Sequence, residues 1–116
     1  MGGRAAQLYA LTLSPNATMT GTATLTSQAV DLHFMRGYAA FAAWTGTPVG
    51  NFHLEGSNDN TNWATIANST VAAGGAAGSN MWNMYLQEYR YVRLVYVNGS
   101  STGTVTVANI YTKEFS

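Results

Sequence analysis

Two histidines, each two positions from a carboxylate, are the residues best spaced for chemistry: His33 after Asp31, and His53 before Glu55. Residues two apart on a strand share a face, so each imidazole can meet its carboxylate. A metal site drawing on both pairs is one reading. Polar pairing on a solvent or interface face is the other, and it is the expectation here. The remaining acids are Asp59, Glu88 and Glu114. A glycosidase needs two carboxyls about 5–10 Å apart, one with a raised pKa, and no spacing singles out such a pair. No Gly-rich stretch closes on Lys followed by Ser or Thr, so a phosphate loop is excluded. Asp59-Asn60-Thr61-Asn62 lacks the Gly and the terminal Glu of a calcium loop and reads as a turn. Three N-x-[ST] triplets, at Asn16, Asn68 and Asn98, are close to chance in so Asn-rich a chain. The sequence therefore predicts no catalytic residue, no cofactor and no metal.

Composition narrows the classes further. The chain has 116 residues, 47% of them hydrophobic and only 9% charged, and its five basic and five acidic residues cancel. A nucleic-acid binder needs a clustered basic footprint, and a polybasic membrane-surface protein needs one too. Neither is present. No cysteine is available for disulfides, thiol chemistry or common structural zinc sites. No stretch approaches the ~20 apolar residues of a membrane helix. Arg4 is not followed by the apolar run of about 7–15 residues of a signal peptide, which points to a protein made in a bacterial cytoplasm. A neutral surface rich in Thr, Ala, Gly and Asn favours association between copies.

The elements that must position these residues are strands. Thr18, Thr20, Thr22, Thr24 and Thr26 alternate with Met19, Gly21, Ala23 and Leu25, a period of two with one wet face. Similar patterns cover 7–13, 29–34, 38–44, 51–57, 63–67, 81–86, 89–97 and 103–113, with one helical turn expected near Leu86–Tyr89. Polar turns fall at 45–50, 58–62 and 98–102. The small-residue run 72–78 has no evident anchor and reads as mobile, or as small to admit another chain. Short strands at this spacing predict an all-β antiparallel sandwich, jelly-roll-like. Residues 1–13 form an N-terminal arm and first strand, and 14–116 the sandwich domain. The expected core is Trp44, Phe52, Leu54, Trp63, Ile66, Trp82, Val92 and Leu94, with Val105 and Val107. Trp63→Ala is then expected to cost about 3–5 kcal/mol. The strand 89–97 is apolar on both faces, which marks Tyr91, Val95 and Arg93, together with Tyr9 of the arm, as interface candidates. Arg90 and Arg93 are expected on opposite faces.

One stretch is more specific. Gly56-Ser-Asn-Asp-Asn-Thr-Asn-Trp63 follows a strand, and Arg90-Tyr-Val-Arg93 opens another. Together with Trp82-Asn83 and 101–106 they resemble small β-sandwich proteins encoded by tailed bacteriophages and prophages, and the discoidin or galactose-binding-like sandwich. That resemblance implies a non-enzymatic virion protein, a capsid-decorating or other auxiliary head or tail component. Its expected partners are copies of itself, a trimer being the best single number, and the capsid or another virion protein. The alternative it implies is a carbohydrate-binding module that attaches to a host surface glycan.

Overall fold

The computed structural model describes residues 7–9, 17–19, 24–32, 37–85, 87–99 and 102–113. They form β1 (Gln7–Tyr9), β2 (Ala17–Met19), β3 (Thr24–Thr26), β4 (Val30–Asp31), β5 (Gly37–Gly46), β6 (Gly50–Ser57), β7 (Ala64–Thr65), β8 (Val71–Ala72), β9 (Gly78–Met84), β10 (Tyr91–Asn98) and β11 (Gly103–Lys113). No helix occurs among the described residues; the helical turn expected near 86–89 is an irregular link at 87–89, and residue 86 lies outside them. In sheet A, β11 lies between β5 and an outer rank shared by β1 and β2, and β9 flanks β5. In sheet B, β10 lies between β6 and a rank shared by β3 and β4, while β7 and β8 flank β6. Every pairing is antiparallel. The architecture is a two-sheet antiparallel sandwich.

Both outer ranks of sheet B are broken, and a serine fills each break. β3 and β4 leave Leu94 of β10 without a strand partner on that side. Ser27 takes the place: its amide donates to the Leu94 carbonyl at 2.9 Å, and the Leu94 amide donates to its hydroxyl at 2.9 Å. On the far side, β7 and β8 leave Leu54 of β6 without a strand partner between them. The Leu54 amide donates to the Ser69 hydroxyl at 3.0 Å, and that hydroxyl donates to the Ile66 carbonyl at 2.7 Å. Leu94 and Leu54 are themselves cross-strand partners. A row of four residues, Ser27–Leu94–Leu54–Ser69, therefore crosses the sheet: the two leucines are a non-hydrogen-bonded pair whose backbone groups point outward, Leu94 to Ser27 and Leu54 to Ser69 and Ile66, and both serines are buried. Short, interrupted outer strands also blunt the edges against uncontrolled pairing.

Between the sheets, Phe52 stacks on Trp44 with centroids 4.7 Å apart and tilts against Tyr96 at 4.6 Å and Trp82 at 6.3 Å. The alternating small residues Ala40 and Ala42 of β5 leave room for this cluster. Both buried indoles are satisfied: Trp82 Nε1 donates to the Ser69 carbonyl at 2.7 Å, and Trp44 Nε1 reaches the carbonyls of Ala76 at 3.0 Å and Ala73 at 3.3 Å. The small-residue run 72–78 is thus anchored over Trp44, contrary to the expectation of an unanchored loop. Gly78 lies against the Trp44 ring, where a Cβ would sit 3.1 Å from Cζ2.

The strand β11 carries a bulge. Val105 pairs with Trp44, but Val107 pairs with Ala43, so Thr106 is the extra residue. A one-residue slip exchanges the faces. Before the bulge Val105 points inward; after it, Ala108, Ile110 and Thr112 do. Val107, expected in the core from simple alternation, is turned outward for this reason and is 38% exposed.

The serine row makes a specific prediction. Ser69→Ala removes the partner of the buried Leu54 amide and should destabilise by about 1–3 kcal/mol in urea unfolding. A change within about 0.5 kcal/mol, the scatter of ordinary surface substitutions, would show that the hydroxyl is not needed to close the break.

Candidate functional site

The residues with chemistry converge on the outer face of sheet B. Arg93 and Glu55 are cross-strand partners on β10 and β6. Arg93 donates from Nε to Glu55 Oε1 at 2.8 Å, and its Nη2 lies 2.7 Å from the same oxygen in an ion pair. His53 Nε2 lies 3.0 Å from Glu55 Oε2. Trp63, just before β7, lies beneath the Arg93 guanidinium, 4.1 Å from ring centroid to Cζ. Beyond them, Arg90 grips Asp31 with two bonds of 3.1 and 3.0 Å and stands over the Tyr91 ring. Arg90 precedes β10 at a bend, so both arginines serve the same outer region rather than opposite faces.

These contacts decide what the carboxylates can do. Burial alone would raise the pKa of Glu55, but hydrogen bonds from His53 and Arg93 outweigh it and hold the group below its ordinary 4.5. Asp59 is held lower still by the backbone amide and side chain of Asn62, the amide of Thr61 and the hydroxyl of Ser57. Both are ionised hydrogen-bond acceptors at neutral pH. Neither has the raised pKa of a general acid. Among the described residues no group of three or more His, Asp or Glu is arranged to hold a metal. His33 and Glu114 lie outside the described residues. The segment Gly99–Gly103 spells G-x-S-x-G, a pattern that sequence reading passed over. A nucleophile elbow needs a strand-to-helix turn; this segment joins two strands, β10 and β11.

The sequence-derived core residues are placed as follows. Trp44, Phe52, Leu54, Trp82, Val92 and Leu94 are buried between the sheets, and Ile66 packs against them half-buried. Trp63 is a correction. It is half-buried on the outer face under Arg93, because the 58–62 turn delivers it beside β6 instead of into the gap between sheets. Of the interface candidates, Tyr91 is half-buried, Arg93 is held by Glu55, and Val95 is 4% exposed and offers no free surface. The Tyr9 backbone pairs with Ile110 in β1, and its side chain lies outside the described residues.

Two further surfaces escaped the sequence reading. The first is the outer face of sheet A. Its registered rows are Val107–Ala43–Ser79, Asn109–Phe41–Met81 and Tyr111–Ala39–Asn83. None of the nine carries a formal charge, and Met81 and Tyr111 are 53% and 42% exposed. Asn109 Oδ1 is buried there with no hydrogen-bond partner among the described residues. The second is an open groove of about 630 Å³ where the sandwich ends, lined by residues of the 57–62 turn, β7, Met84, Gln87 and Tyr89. Its floor is set by Tyr89, whose ring lies on Gly56 and whose hydroxyl is 2.6 Å from that of Tyr38.

The family model described as the uncharacterised protein YqxG N-terminal domain matches residues 3–112. The chain belongs to that family. No curated protein matches it. Among solved structures it is similar to the PBSX exported protein XepA, at 24% identity and a TM-score of 0.59 over 97% of this chain. It spans 37% of that protein. A CBM4 carbohydrate-binding module aligns at 14% identity and a TM-score of 0.61, over 93% of this chain and 78% of that one. TmCBM61, solved with β-1,4-galactotriose, aligns at 15% identity and a TM-score of 0.51, over 80% and 67%. The YqxG-type sandwich thus shares its fold with an exported PBSX protein and with carbohydrate-binding modules.

Two predictions test the outer face of sheet B. Trp63→Ala should cost about 1–2 kcal/mol in urea unfolding, well below a core tryptophan, because it removes partial burial and one cation–π contact; a loss of about 3–5 kcal/mol would return Trp63 to the core. Glu55 has a lowered folded pKa, so its stabilising contribution is complete above about pH 4.5 and is lost as pH falls through the lower folded value. Glu55→Gln should therefore be less stable than wild type at pH 7, with the gap closing on acidification below pH 4.5. A gap independent of pH would rule out the ionised carboxylate as its source.

Proposed function

We propose that the chain is a non-enzymatic, phage-derived virion or exported protein that works by docking, first on further copies of itself and then on a protein lattice. The outer face of sheet A carries this reading. Nine registered side chains without charge, three of them large and more than a third exposed, form a surface that water does not favour. A face of this composition meets another protein without desolvating ions. The strands β5 and β11 are each paired on both sides, which pre-organises the face and lowers the ordering cost of association. The carboxylates Asp31, Glu55 and Asp59 are each engaged in ion pairs or turn bonds, which supports a scaffold role over a catalytic one. The likeness to XepA supports the phage assignment. Closed association of this kind satisfies every copy equally.

Light scattering at tens of micromolar tests the proposal. The wild-type chain should run as a defined multiple of 12.4 kDa, with three copies as the expectation from the phage resemblance. The double variant Met81→Glu with Tyr111→Glu should run at the single-chain mass with an unchanged unfolding midpoint. A monomeric wild type would overturn the reading, as would a double variant that assembles normally.

A further inference from the structure

The groove at the end of the sandwich has a chemistry of its own, unrelated to docking through sheet A. We propose that it is a binding site for a neutral oligosaccharide, read by the side-chain amides of Asn58, Asn62 and Gln87.

The lining selects the ligand class by what it offers. None of its described residues is Asp, Glu, Lys, Arg or His. A phosphate, a carboxylate or a metal ion would leave its hydration shell there without a counter-charge. The polar groups are amides and hydroxyls, and part of each amide is already engaged. Asn62 Nδ2 donates to Asp59 Oδ2 at 2.7 Å, and Gln87 Nε2 donates to the Tyr85 carbonyl at 2.8 Å. Their carbonyl oxygens accept no hydrogen bond among the described residues and are available as acceptors, which suits a molecule rich in hydroxyl donors. Ile66, Met84 and Tyr89 supply apolar surface between these groups. A pyranose has this same alternation of hydroxyls and C–H faces. The volume, about 630 Å³, falls within the range of roughly 300–1,000 Å³ typical of ligand clefts.

The groove is also built before any ligand arrives. Its lip is the 57–62 turn. Asp59 Oδ1 accepts from the amides of Thr61 at 2.9 Å and Asn62 at 2.8 Å and from the Ser57 hydroxyl at 3.0 Å. The Ser57 hydroxyl in turn accepts from the amides of Asp59 and Asn60. Asn60 holds a left-handed φ of 61° that closes the turn. Asn58 and Asn62 are therefore presented on a fixed frame, which reduces the ordering cost of binding a well-hydrated ligand. The floor is equally constrained: a Cβ on Gly56 would meet the Tyr89 ring at 3.0 Å.

The test is an NMR titration of the full chain, labelled with nitrogen-15, against neutral trisaccharides of glucose, galactose, mannose and N-acetylglucosamine. A trisaccharide of galacturonic acid serves as the charged probe. At least one neutral sugar should shift the side-chain amide signals of Asn58, Asn62 and Gln87 and saturate in the millimolar range. The charged probe should bind at least about tenfold more weakly. Asn58→Ala and Gln87→Ala should each weaken binding by about tenfold with unchanged melting, since neither side chain closes the turn. The Met81→Glu, Tyr111→Glu variant should bind as wild type, which keeps this outcome separate from that of the docking face. The proposal is overturned if no neutral sugar shifts these signals, if the charged probe binds equally well, or if both alanine variants bind undiminished.

Discussion

Sheet B depends on two serines that replace missing strands. A β-strand buried between neighbours must satisfy each backbone amide, and an unmet one costs as much as a lost hydrogen bond. The outer ranks of this sheet are too short to do so alone: β3 and β4 stop either side of Leu94, β7 and β8 either side of Leu54. Ser27 closes its gap with amide and hydroxyl, and Ser69 closes the other with its hydroxyl while the Ile66 amide donates to the Leu54 carbonyl. Because Leu94 and Leu54 face the aromatic cluster, the same row that completes the sheet also fixes the core beneath it. Trp82 ties the far sheet to this row through the Ser69 carbonyl. Breaking the row would leave two amides unpaired and loosen the bond from the Trp82 indole of β9.

The bulge at Thr106 settles the character of the other sheet. Without it, the alternation that buries Val105 would carry Val107, Asn109 and Tyr111 inward. The inserted residue reverses the phase, so Ala108, Ile110 and Thr112 fill the gap between sheets and the bulkier, partly polar set faces out. The two outer faces are thereby different surfaces. Sheet B displays ion pairs and aromatic–cation contacts. The nine registered positions of sheet A display none. Among the described residues the Arg90–Asp31 and Arg93–Glu55 pairs and both cation–π contacts lie on sheet B, away from the uncharged rows of sheet A.

Much of the fold was legible because its signals are local. Alternation with β-branched residues gave the strands, and Gly, Asn and Pro clusters gave the turns. The heavy core residues of β6, β9 and β10 follow from that pattern alone. What was not legible depended on register. Trp63 opens a strand after a turn, as a core residue would, but the turn length sets it on the outer face. Val95 belongs to the outer parity, yet lies between His53 and Thr26, which close over it. The apolar face of sheet A could not be foreseen without the bulge, since the phase reversal leaves no mark in hydropathy. The pairing of Glu55 with Arg93 and His53 was half-visible: His53 and Glu55 share a face by spacing, but Arg93 arrives from 38 residues away through the β6–β10 register.

The end of the sandwich joins these separate features. Tyr89 covers the gap between the sheets because Gly56 leaves space for its ring, and its hydroxyl meets that of Tyr38 from the opposite sheet. The phenols stay protonated across the physiological range, since burial raises both pKa values. The bond is therefore a neutral clasp, insensitive to the pH changes that act on the Glu55 cluster. Immediately outside it lies the turn held by Asp59, an exposed carboxylate whose interactions are entirely with its own loop. A surface loop stabilised by its own hydrogen bonds does not need the core to hold its shape. The lip therefore keeps its shape through its own residues, Ser57, Asp59, Asn60 and Asn62, while the sandwich beneath fixes where it stands.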